Sequence, residues 1–402
     1  MKLKAWAIAT LIPILSCAGC RWGTSVESLE SPFALRRQTQ AIALQTRVKQ
    51  GVFPEKISIK LRQILYQHAF DDRLPGVVLY IATSDGVWSG AAGTANVEAK
   101  QAMQPTDRFR IASLTKMFVS VVCLQLAEEG RLSLNDTMAQ WLPQEVSDRF
   151  PDSQKTTIRQ LLNHTTGFND PYTDAFQQAV LANPTYKWQA QEVLEFAEGR
   201  DPATVNGSFY YSNTNYLLLE LILEQVTGEP LAQTIRQRIL TPLDLSDTFM
   251  EVREPIPDGF AQGYQDWDKT GKPKNMTKPL VNDGLGLGDG GLVSSAPDLA
   301  RFMRVLFGDN GLIQPESRNE MLNLVGRDRR GGYGMGISYQ PTAWGEAWGH
   351  TGKTTGFMSD IMYLPAHDMI IVAWTNSGDS DRGNPSEIIE DSLRVIFGKT
   401  SY

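Results

Sequence analysis

The chain has 402 residues, of which 42% are hydrophobic and 21% are charged, and its formal net charge is -7 at pH 7. A chain of this length and composition can bury one large core or two linked cores, which excludes a disordered protein. The acidic balance and the lack of a basic run exclude nucleic acid as a partner, because phosphate binding needs a concentrated face of Lys and Arg.

Residues 1–20 have the pattern of a signal peptide, in which two lysines precede an apolar stretch from Ala5 to Leu15 and small residues follow. This stretch is too short to span a bilayer. We therefore predict that the protein is exported to the periplasm or another extracytoplasmic site. Two overlapping segments that end at Cys17 and Cys20 resemble the lipobox of bacterial lipoproteins, and Gly19 makes Cys20 the better site. A lipid there would anchor a soluble domain to a membrane.

Residues 21–53 are polar and predict a tether, and the folded domain is predicted over residues 54–402. Hydrophobic periodicity first predicts an amphipathic helix with Ile57, Leu61, Ile64, Leu65 and His68 on one face. Periodicity and turn residues then predict the strands Gly76–Thr83 and Val87–Gly93, followed by the helices Ser113–Glu129, Thr157–Leu162, Asn215–Thr227 and Leu231–Leu240. The last predicted elements are the strands Phe357–Leu364 and Met369–Thr375 and the helix Ser386–Phe397.

Strands near both ends of the domain predict one antiparallel sheet that is assembled from both termini and covered by helices. The helical segments between them predict a helical insert at about residues 125–285. The expected fold class is therefore α/β plus all-α. A cleft between two such lobes is a usual place for an active site.

Ser113 and Lys116 lie three residues apart at the start of an apolar helix, which places the hydroxyl and the amine on one face, one turn apart. A serine oxygen becomes a good nucleophile when a neighbour takes its proton, and a lysine can do so. Ser-x-x-Lys by itself also suits a helix-start serine with a solvated lysine. The apolar run from Met117 to Leu126 favours the catalytic interpretation.

Two further motifs follow in chain order. Tyr211-Ser212-Asn213 precedes an apolar helix, and by itself it could be a capping turn in which Asn213 caps that helix. His350-Thr351-Gly352 lies in a predicted strand with glycines at positions of close approach. Together with Ser113 and Lys116, these motifs predict one catalytic constellation.

The set Ser-x-x-Lys, Tyr-x-Asn and His-Thr-Gly resembles the serine penicillin-recognising enzymes, most closely class C β-lactamases and serine D-alanyl-D-alanine carboxypeptidases, over roughly residues 55–400. The resemblance implies a β-lactamase/transpeptidase-like fold. It implies that Ser113 attacks a carbonyl, that Lys116 and Tyr211 share the proton transfers, and that Asn213 holds a substrate amide. The backbone N–H groups of Ser113 and Lys353 would form the oxyanion hole.

Class C β-lactamases resemble one another in carrying lysine where this chain has His350, so the difference favours a carboxypeptidase that acts on D-alanyl-D-alanine termini. We expect His350, as an imidazolium, to bind the substrate carboxylate, with Thr351 and Gly352 beside the substrate backbone. The alternatives are a β-lactamase, a small-ester hydrolase, and a penicillin or peptidoglycan sensor with little turnover.

The sequence predicts no metal and no cofactor. Its four histidines are dispersed, and no His-Glu-x-x-His or paired-Cys pattern occurs. The segment 286–291 matches Gly-x-Gly-x-x-Gly but does not open directly into a helix, so we predict a flexible or sharply turned loop beside the cleft rather than a dinucleotide site. We interpret His164 as a structural residue that supports the cleft, and Cys123 as an inert core thiol.

Overall fold

The computed structural model describes residues 53–398 except residues 72, 200, 268, 278, 279, 310 and 380. Cys17, Cys20, the predicted signal peptide and nearly all of the predicted tether lie outside these residues. No helix of the described part is long and apolar enough to cross a membrane.

The strands are β1 (Gly76–Thr83), β2 (Gly86–Asn96), β3 (Gln101–Ala102), β4 (Phe109–Arg110), β5 (Phe249–Met250), β6 (Tyr264–Gln265), β7 (Lys274–Asn275), β8 (Leu292–Ser294), β9 (Val325–Asp328), β10 (Gly331–Tyr333), β11 (Ser338–Thr342), β12 (Gly345–Thr354), β13 (Phe357–Leu364) and β14 (Met369–Thr375).

The α-helices are α1 (Glu55–Asp71), α2 (Thr115–Glu128), α3 (Met138–Trp141), α4 (Gln144–Ser147), α5 (Ile158–Leu162), α6 (Asp174–Ala182), α7 (Ala190–Leu194), α8 (Thr214–Thr227), α9 (Leu231–Ile235), α10 (Ala296–Phe307), α11 (Pro315–Met321) and α12 (Pro385–Phe397). Short 3₁₀ turns cover Ala112–Leu114, Glu195–Ala197 and Pro365–His367, and a π-helical turn covers Arg236–Leu240.

The main sheet has nine strands within the described residues, in the order β3-β2-β1-β14-β13-β12-β11-β10-β9. Its centre joins the two ends of the domain, because β1 pairs antiparallel with β14 and Val77 lies opposite Thr375. β14 pairs in turn with β13, and β13 with β12. The predicted sheet built from both termini is therefore confirmed.

Each face of the sheet buries a separate apolar cluster. On one face, α1 and α12 cover side chains that alternate along the central strands, among them Leu79, Ile371 and Ala373. The other face packs against a larger cluster that includes α2 and α8, whose apolar residues are almost all buried. Side chains alternate across a strand, so near-continuous apolar strands such as β14 are buried on both sides.

The helical region runs from α2 to Leu240 and ends before Pro242, earlier than the boundary near residue 285 that the sequence suggested. The following segment forms the short strands β5 to β8 instead. β8 pairs with β4 and β5, and the first residue of β8, Leu292, accepts a hydrogen bond from the N–H of Ile111 beside the turn that carries Ser113. These strands have only two or three residues, too few for a period-2 pattern to show.

Candidate active site

Ser113 lies in the 3₁₀ turn that leads from β4 into α2. The preceding residue, Ala112, has φ +50°, in the left-handed region that residues other than glycine seldom adopt. Such a conformation costs about 1–3 kcal/mol and persists only where the surroundings hold it in place. Ala112 is buried, and the strained turn projects Ser113 into the cleft between the helices and the sheet.

Lys116 is completely buried at the start of α2, and its ammonium group contacts three acceptors. Lys116 Nζ lies 3.2 Å from Ser113 Oγ, 2.7 Å from Asn213 Oδ1 and 2.6 Å from the carbonyl oxygen of Asp289. An ammonium has three N–H donors, so these acceptors use its full capacity. The arrangement fixes the amine beside the serine hydroxyl.

Asn213 occupies the N-cap position of α8, but its side chain makes no capping hydrogen bond. Its Oδ1 accepts from Lys116, and its Nδ2 donates to Asp170 Oδ2 at 2.8 Å. The same carboxylate oxygen accepts the backbone N–H of Asn213 at 2.8 Å. Asn213 therefore orients the lysine, and the interpretation of Asn213 as a simple helix cap is wrong.

Tyr211 lies over Lys116, with the ammonium 5.0 Å from the ring centroid, close enough for a cation–π interaction. Its hydroxyl is buried and has no hydrogen-bond partner among the described residues. Buried phenols are normally satisfied, so an orphan hydroxyl at the wall of a cleft points to a partner that arrives with the substrate. The structure thus brings Tyr211 to the site but shows no hydrogen bond from it to Ser113.

His164 supports Tyr211 from behind. It is fully buried with φ +58°, and its ring centroid lies 4.3 Å from that of Tyr211. Nδ1 accepts from the backbone N–H of Ser212 at 3.2 Å and lies 3.0 Å from Asn215 Nδ2. Burial and the nearby Lys116 lower the pKa of His164 well below its usual value, so the ring is neutral. The predicted structural role of His164 is confirmed.

β12 packs against the serine-bearing turn at Gly352. A Cβ atom on Gly352 would lie 2.4 Å from the carbonyl oxygen of Ile111 and 2.5 Å from Ser359 Oγ, closer than real Cβ contacts occur. Ser359 Oγ itself donates to that Ile111 oxygen at 3.1 Å. Glycine is required because the strand backbone approaches the turn this closely.

The C-terminal half of β12, residues 350–354, has an open edge. β11 pairs with β12 only over residues 345–349, and within the described residues 350–354 pair only with β13. Thr351 and Lys353 are exposed there, and both Ser113 and Lys353 line the cleft. An open edge leaves backbone N–H and C=O groups for an extended substrate to pair with.

A buried ion pair between Arg110 and Glu251 holds β4 and the residue after β12 in fixed positions. The Arg110 guanidinium donates to both carboxylate oxygens of Glu251, at 2.8 and 3.0 Å, and to the carbonyl oxygen of Thr355 at 2.8 Å. Such a bidentate pair has fixed geometry. It ties the strand before Ser113 to the turn after β12.

His350 is 5% exposed, and both its ring nitrogens are engaged within the protein. Nδ1 lies 2.6 Å from the Thr351 carbonyl oxygen, which can only accept, and Nε2 lies 2.9 Å from the Tyr333 hydroxyl. Burial, reinforced by the charge of Lys116, lowers the pKa of His350 to about 3. The ring is neutral at physiological pH, and the prediction of an imidazolium at His350 is wrong.

Two cavities meet at Ser113 and Lys353. The smaller, of about 360 Å³, is also lined by Asn213, Asp289 and Gly290. The larger, of about 820 Å³, runs along the open edge of β12 and is also lined by Tyr211, His350, Thr351 and Gly352. A scissile bond at Ser113 would therefore have one substituent in each cavity.

Several contributors to the site were not predicted from the sequence. The carbonyl of Asp289 is a backbone group in the loop that matched Gly-x-Gly-x-x-Gly, and Asp170 and Tyr333 stand outside the three motifs. The predicted turn at 286–291 is confirmed, since Gly286 has φ +78°. Cys123 is buried in the core, as predicted. Within the described ranges, no three His, Cys, Asp or Glu side chains are grouped to hold a metal.

Relatives in sequence share most of this domain. Penicillin-binding protein 4* of Bacillus subtilis (strain 168) is 26% identical over 346 residues, which are 81% of this chain and 72% of that protein. Protein flp of Staphylococcus aureus (strain MW2) is 30% identical over 211 residues, which are 52% of this chain and 41% of that protein. The second match spans less than two thirds of its relative's length.

Solved structures with the same fold include enzymes that act on amides. A D-stereospecific amidohydrolase from Streptomyces sp. is 28% identical with a TM-score of 0.76, covering 86% of this chain and 100% of that one. The D-amino acid amidase from Ochrobactrum anthropi SV3, complexed with D-phenylalanine, is 25% identical with a TM-score of 0.73, and the match covers 85% of this chain and 99% of that one.

A family model described as Beta-lactamase matches residues 61–393, nearly the whole described domain. The match spans every motif in the cleft. This chain therefore belongs to the Beta-lactamase family and is a serine hydrolase of the superfamily that also contains the penicillin-binding proteins.

Proposed function

We propose that this protein hydrolyses an amide bond through an acyl-enzyme on Ser113, and that its first candidate substrates are peptidoglycan peptides ending in D-alanyl-D-alanine. The observation that carries the proposal is the 3.2 Å contact between Ser113 Oγ and a fully buried Lys116 Nζ. Asn213 and the Asp289 carbonyl hold that amine in place. In its neutral form Lys116 can accept the serine proton as Ser113 attacks.

Tyr211 assigns the two sides of the substrate. The leaving nitrogen must gain a proton when the amide bond breaks. Tyr211 lines the larger cavity, and its hydroxyl has no hydrogen-bond partner among the described residues. The leaving amine therefore occupies the larger cavity, and the acyl group occupies the smaller one. The backbone N–H groups of Ser113 and Lys353 supply the oxyanion hole in this proposal.

The volume of the larger cavity supports a peptide substrate, because about 820 Å³ beside an open strand edge accommodates more than ammonia. A second candidate is the hydrolysis of D-amino acid amides. It is favoured by the match to the D-stereospecific amidohydrolase over that protein's whole length.

One panel of substrates tests these proposals. The purified domain would be incubated with a D-alanyl-D-alanine tripeptide, D-alaninamide, a cephalosporin and a short-chain ester, with Ser113→Ala as the control. We expect steady release of D-alanine from the tripeptide. Fast amide or cephalosporin turnover with an intact tripeptide would replace the carboxypeptidase by an amidase or a β-lactamase, and a single burst would indicate a sensor. A Ser113→Ala protein that still forms the acyl adduct would refute the mechanism.

We further propose that the protein is exported and carries a lipid on Cys20 or Cys17, on the strength of the signal-like residues 1–20. Export with a lipid would place the active site beside peptidoglycan. Metabolic labelling with a radioactive fatty acid tests the proposal. Label that persists in a Cys17→Ser, Cys20→Ser double variant would contradict it.

A further inference from the structure

The smaller cavity is acidic in a way that the catalytic motifs do not require. Three carboxylates line it, from Asp174, Asp283 and Asp289, against one cation among its lining residues, Lys353. The charge of Lys116 also acts on the Asp289 carboxyl. The larger cavity has no such excess, because its two acidic lining residues, Asp328 and Asp360, are matched by Arg330 and Lys353. Since the proposed function places the acyl group in the smaller cavity, the charge there bears on which acyl groups bind.

Two of these carboxylates are incompletely hydrogen-bonded. Asp289 is 4% exposed, and its Oδ2 accepts from the Tyr172 hydroxyl at 2.8 Å, whereas its Oδ1 is buried without a partner in the described part of the chain. Asp283 Oδ2 accepts from the N–H and hydroxyl of Thr355, and its Oδ1 is likewise buried and unpartnered. An orphan carboxylate oxygen is costly and calls for a donor.

The rest of the wall suits an alkyl chain with a cationic end. Tyr172, Phe176 and Trp267 contribute aromatic rings, and Val180 and Leu285 contribute aliphatic groups. Aromatic faces attract ammonium ions, and apolar walls bury the methylene groups that lead to them. A volume of about 360 Å³ is within the range of small-ligand sites.

We infer that the acyl group of the substrate carries a protonated primary amine, which binds in the smaller cavity with Asp289 and Asp283 as its acceptors. This inference rests on the proposed function, because it needs the acyl group on that side of Ser113. An ammonium brings up to three N–H donors, enough to supply both orphan oxygens. The amine could be the α-amine of a single D-residue or the side-chain amine of a longer acyl group, and the two share this chemistry.

Four p-nitroanilides test the inference: D-alanyl, N-acetyl-D-alanyl, Nα-acetyl-D-lysyl and Nα,Nε-diacetyl-D-lysyl. We expect kcat/KM for the favoured amine to exceed that of its acetylated counterpart by about 10- to 100-fold, the worth of a hydrogen bond to a charged group. Preference for D-alanyl identifies an α-amine, and preference for Nα-acetyl-D-lysyl identifies a distal one.

Asp289→Asn and Asp283→Asn should each remove this preference, because kcat/KM for the free amine should fall by about 10- to 100-fold more than kcat/KM for its acetylated counterpart. Asp85→Asn, in the exposed turn between β1 and β2, removes the same charge far from the cavity and should change neither rate. Burial raises the pKa of Asp289 to about 6, so the amine preference should also decline as the pH falls through that value.

The outcomes distinguish failure of the amine site from failure of the proposed hydrolase. Equal cleavage of free and acetylated substrates overturns the inference and leaves the proposed hydrolase intact. Equal losses on all substrates in Asp289→Asn show a structural role through Lys116 and also overturn it. If neither the four anilides nor the D-alanyl-D-alanine tripeptide is cleaved and none of them acylates Ser113, the proposed function fails and the inference fails with it.

Discussion

Replacing Gly352 by alanine tests whether the contact between β12 and the serine-bearing turn positions the nucleophile. The new Cβ would lie 2.4 Å from the Ile111 carbonyl oxygen, against a lower limit of 3.0 Å for real contacts, so the strand must retreat by about 0.6 Å. Overpacking of this kind costs about 1–3 kcal/mol of folding free energy. A displacement approaching 1 Å between catalytic groups can cost about 100-fold in rate.

Gly290→Ala is the matched control. Gly290 lies on the other side of the same turn, and a Cβ there would meet Ala112 at 3.6 Å, an ordinary contact. We expect Gly352→Ala to fold but to acylate with a fluorescent penicillin about 100-fold more slowly, and Gly290→Ala to stay within about threefold of the wild type. Thermal unfolding would verify that both variants are folded. A folded Gly352→Ala protein with the wild-type acylation rate would show that the contact at Gly352 does not position the nucleophile.

Lys116→Ala and Tyr211→Phe should each lower the acylation rate by about two to four powers of ten. Because both groups serve one proton path, the acylation rate of the double variant, measured by stopped flow, should be little lower than that of either single variant. If the two effects multiply in the double variant, the two residues do not share one role. Glu220→Ala should lower acylation about tenfold, because Glu220 Oε2 accepts from Gly288 N–H at 2.7 Å, next to the Asp289 carbonyl that holds Lys116, whereas Glu220→Gln keeps the acceptor and the rate. Burial raises the pKa of Glu220 from 4.5 to about 8, so the free energy of unfolding of the wild type should decline as the pH rises between these values. Urea unfolding should show that Glu220→Gln is more stable relative to the wild type at pH 8 than at pH 4.5. Burial lowers the pKa of His350 from 6.5 to about 3, so the free energy of unfolding of the wild type should decrease as the pH falls from 6.5 towards 3. If the free energy of unfolding of His350→Gln falls equally steeply over this pH range, His350 is not a neutral buried ring.

The elements with strong local signals were predictable from the sequence. β1 and β14 match their predicted bounds residue for residue, since apolar, β-branched runs end at clear turns. The helix predicted to stop at Gly228 does so, and Gly228 adopts the left-handed conformation of a C-cap. The predicted helix Leu231–Leu240 changes to a π-helical turn at Arg236, a change that periodicity alone does not signal.

The site was predictable to the extent that it depends on side chains in short motifs. The third acceptor of Lys116 is a backbone carbonyl, and any residue type supplies one, so no motif marks Asp289 for that role. The charge of His350 depends on its burial and on Lys116. Tyr333 contacts Nε2 of His350 only once β10 has joined the sheet. The acidic wall of the smaller cavity brings together residues from α6 and from the loop before β8, far apart in the chain.

The pairing of β1 with β14 has a consequence for biosynthesis. The partners Val77 and Thr375 are separated by about 300 residues, so a growing polypeptide contains Ser113, Lys116 and Tyr211 long before β14 is made. Contacts at such long range form slowly. A premature stop between residues 364 and 369 would leave β1 and β13 each with a bare backbone edge, which pairs readily with other chains. Truncated translation products of this protein should therefore aggregate rather than persist as weakened enzymes.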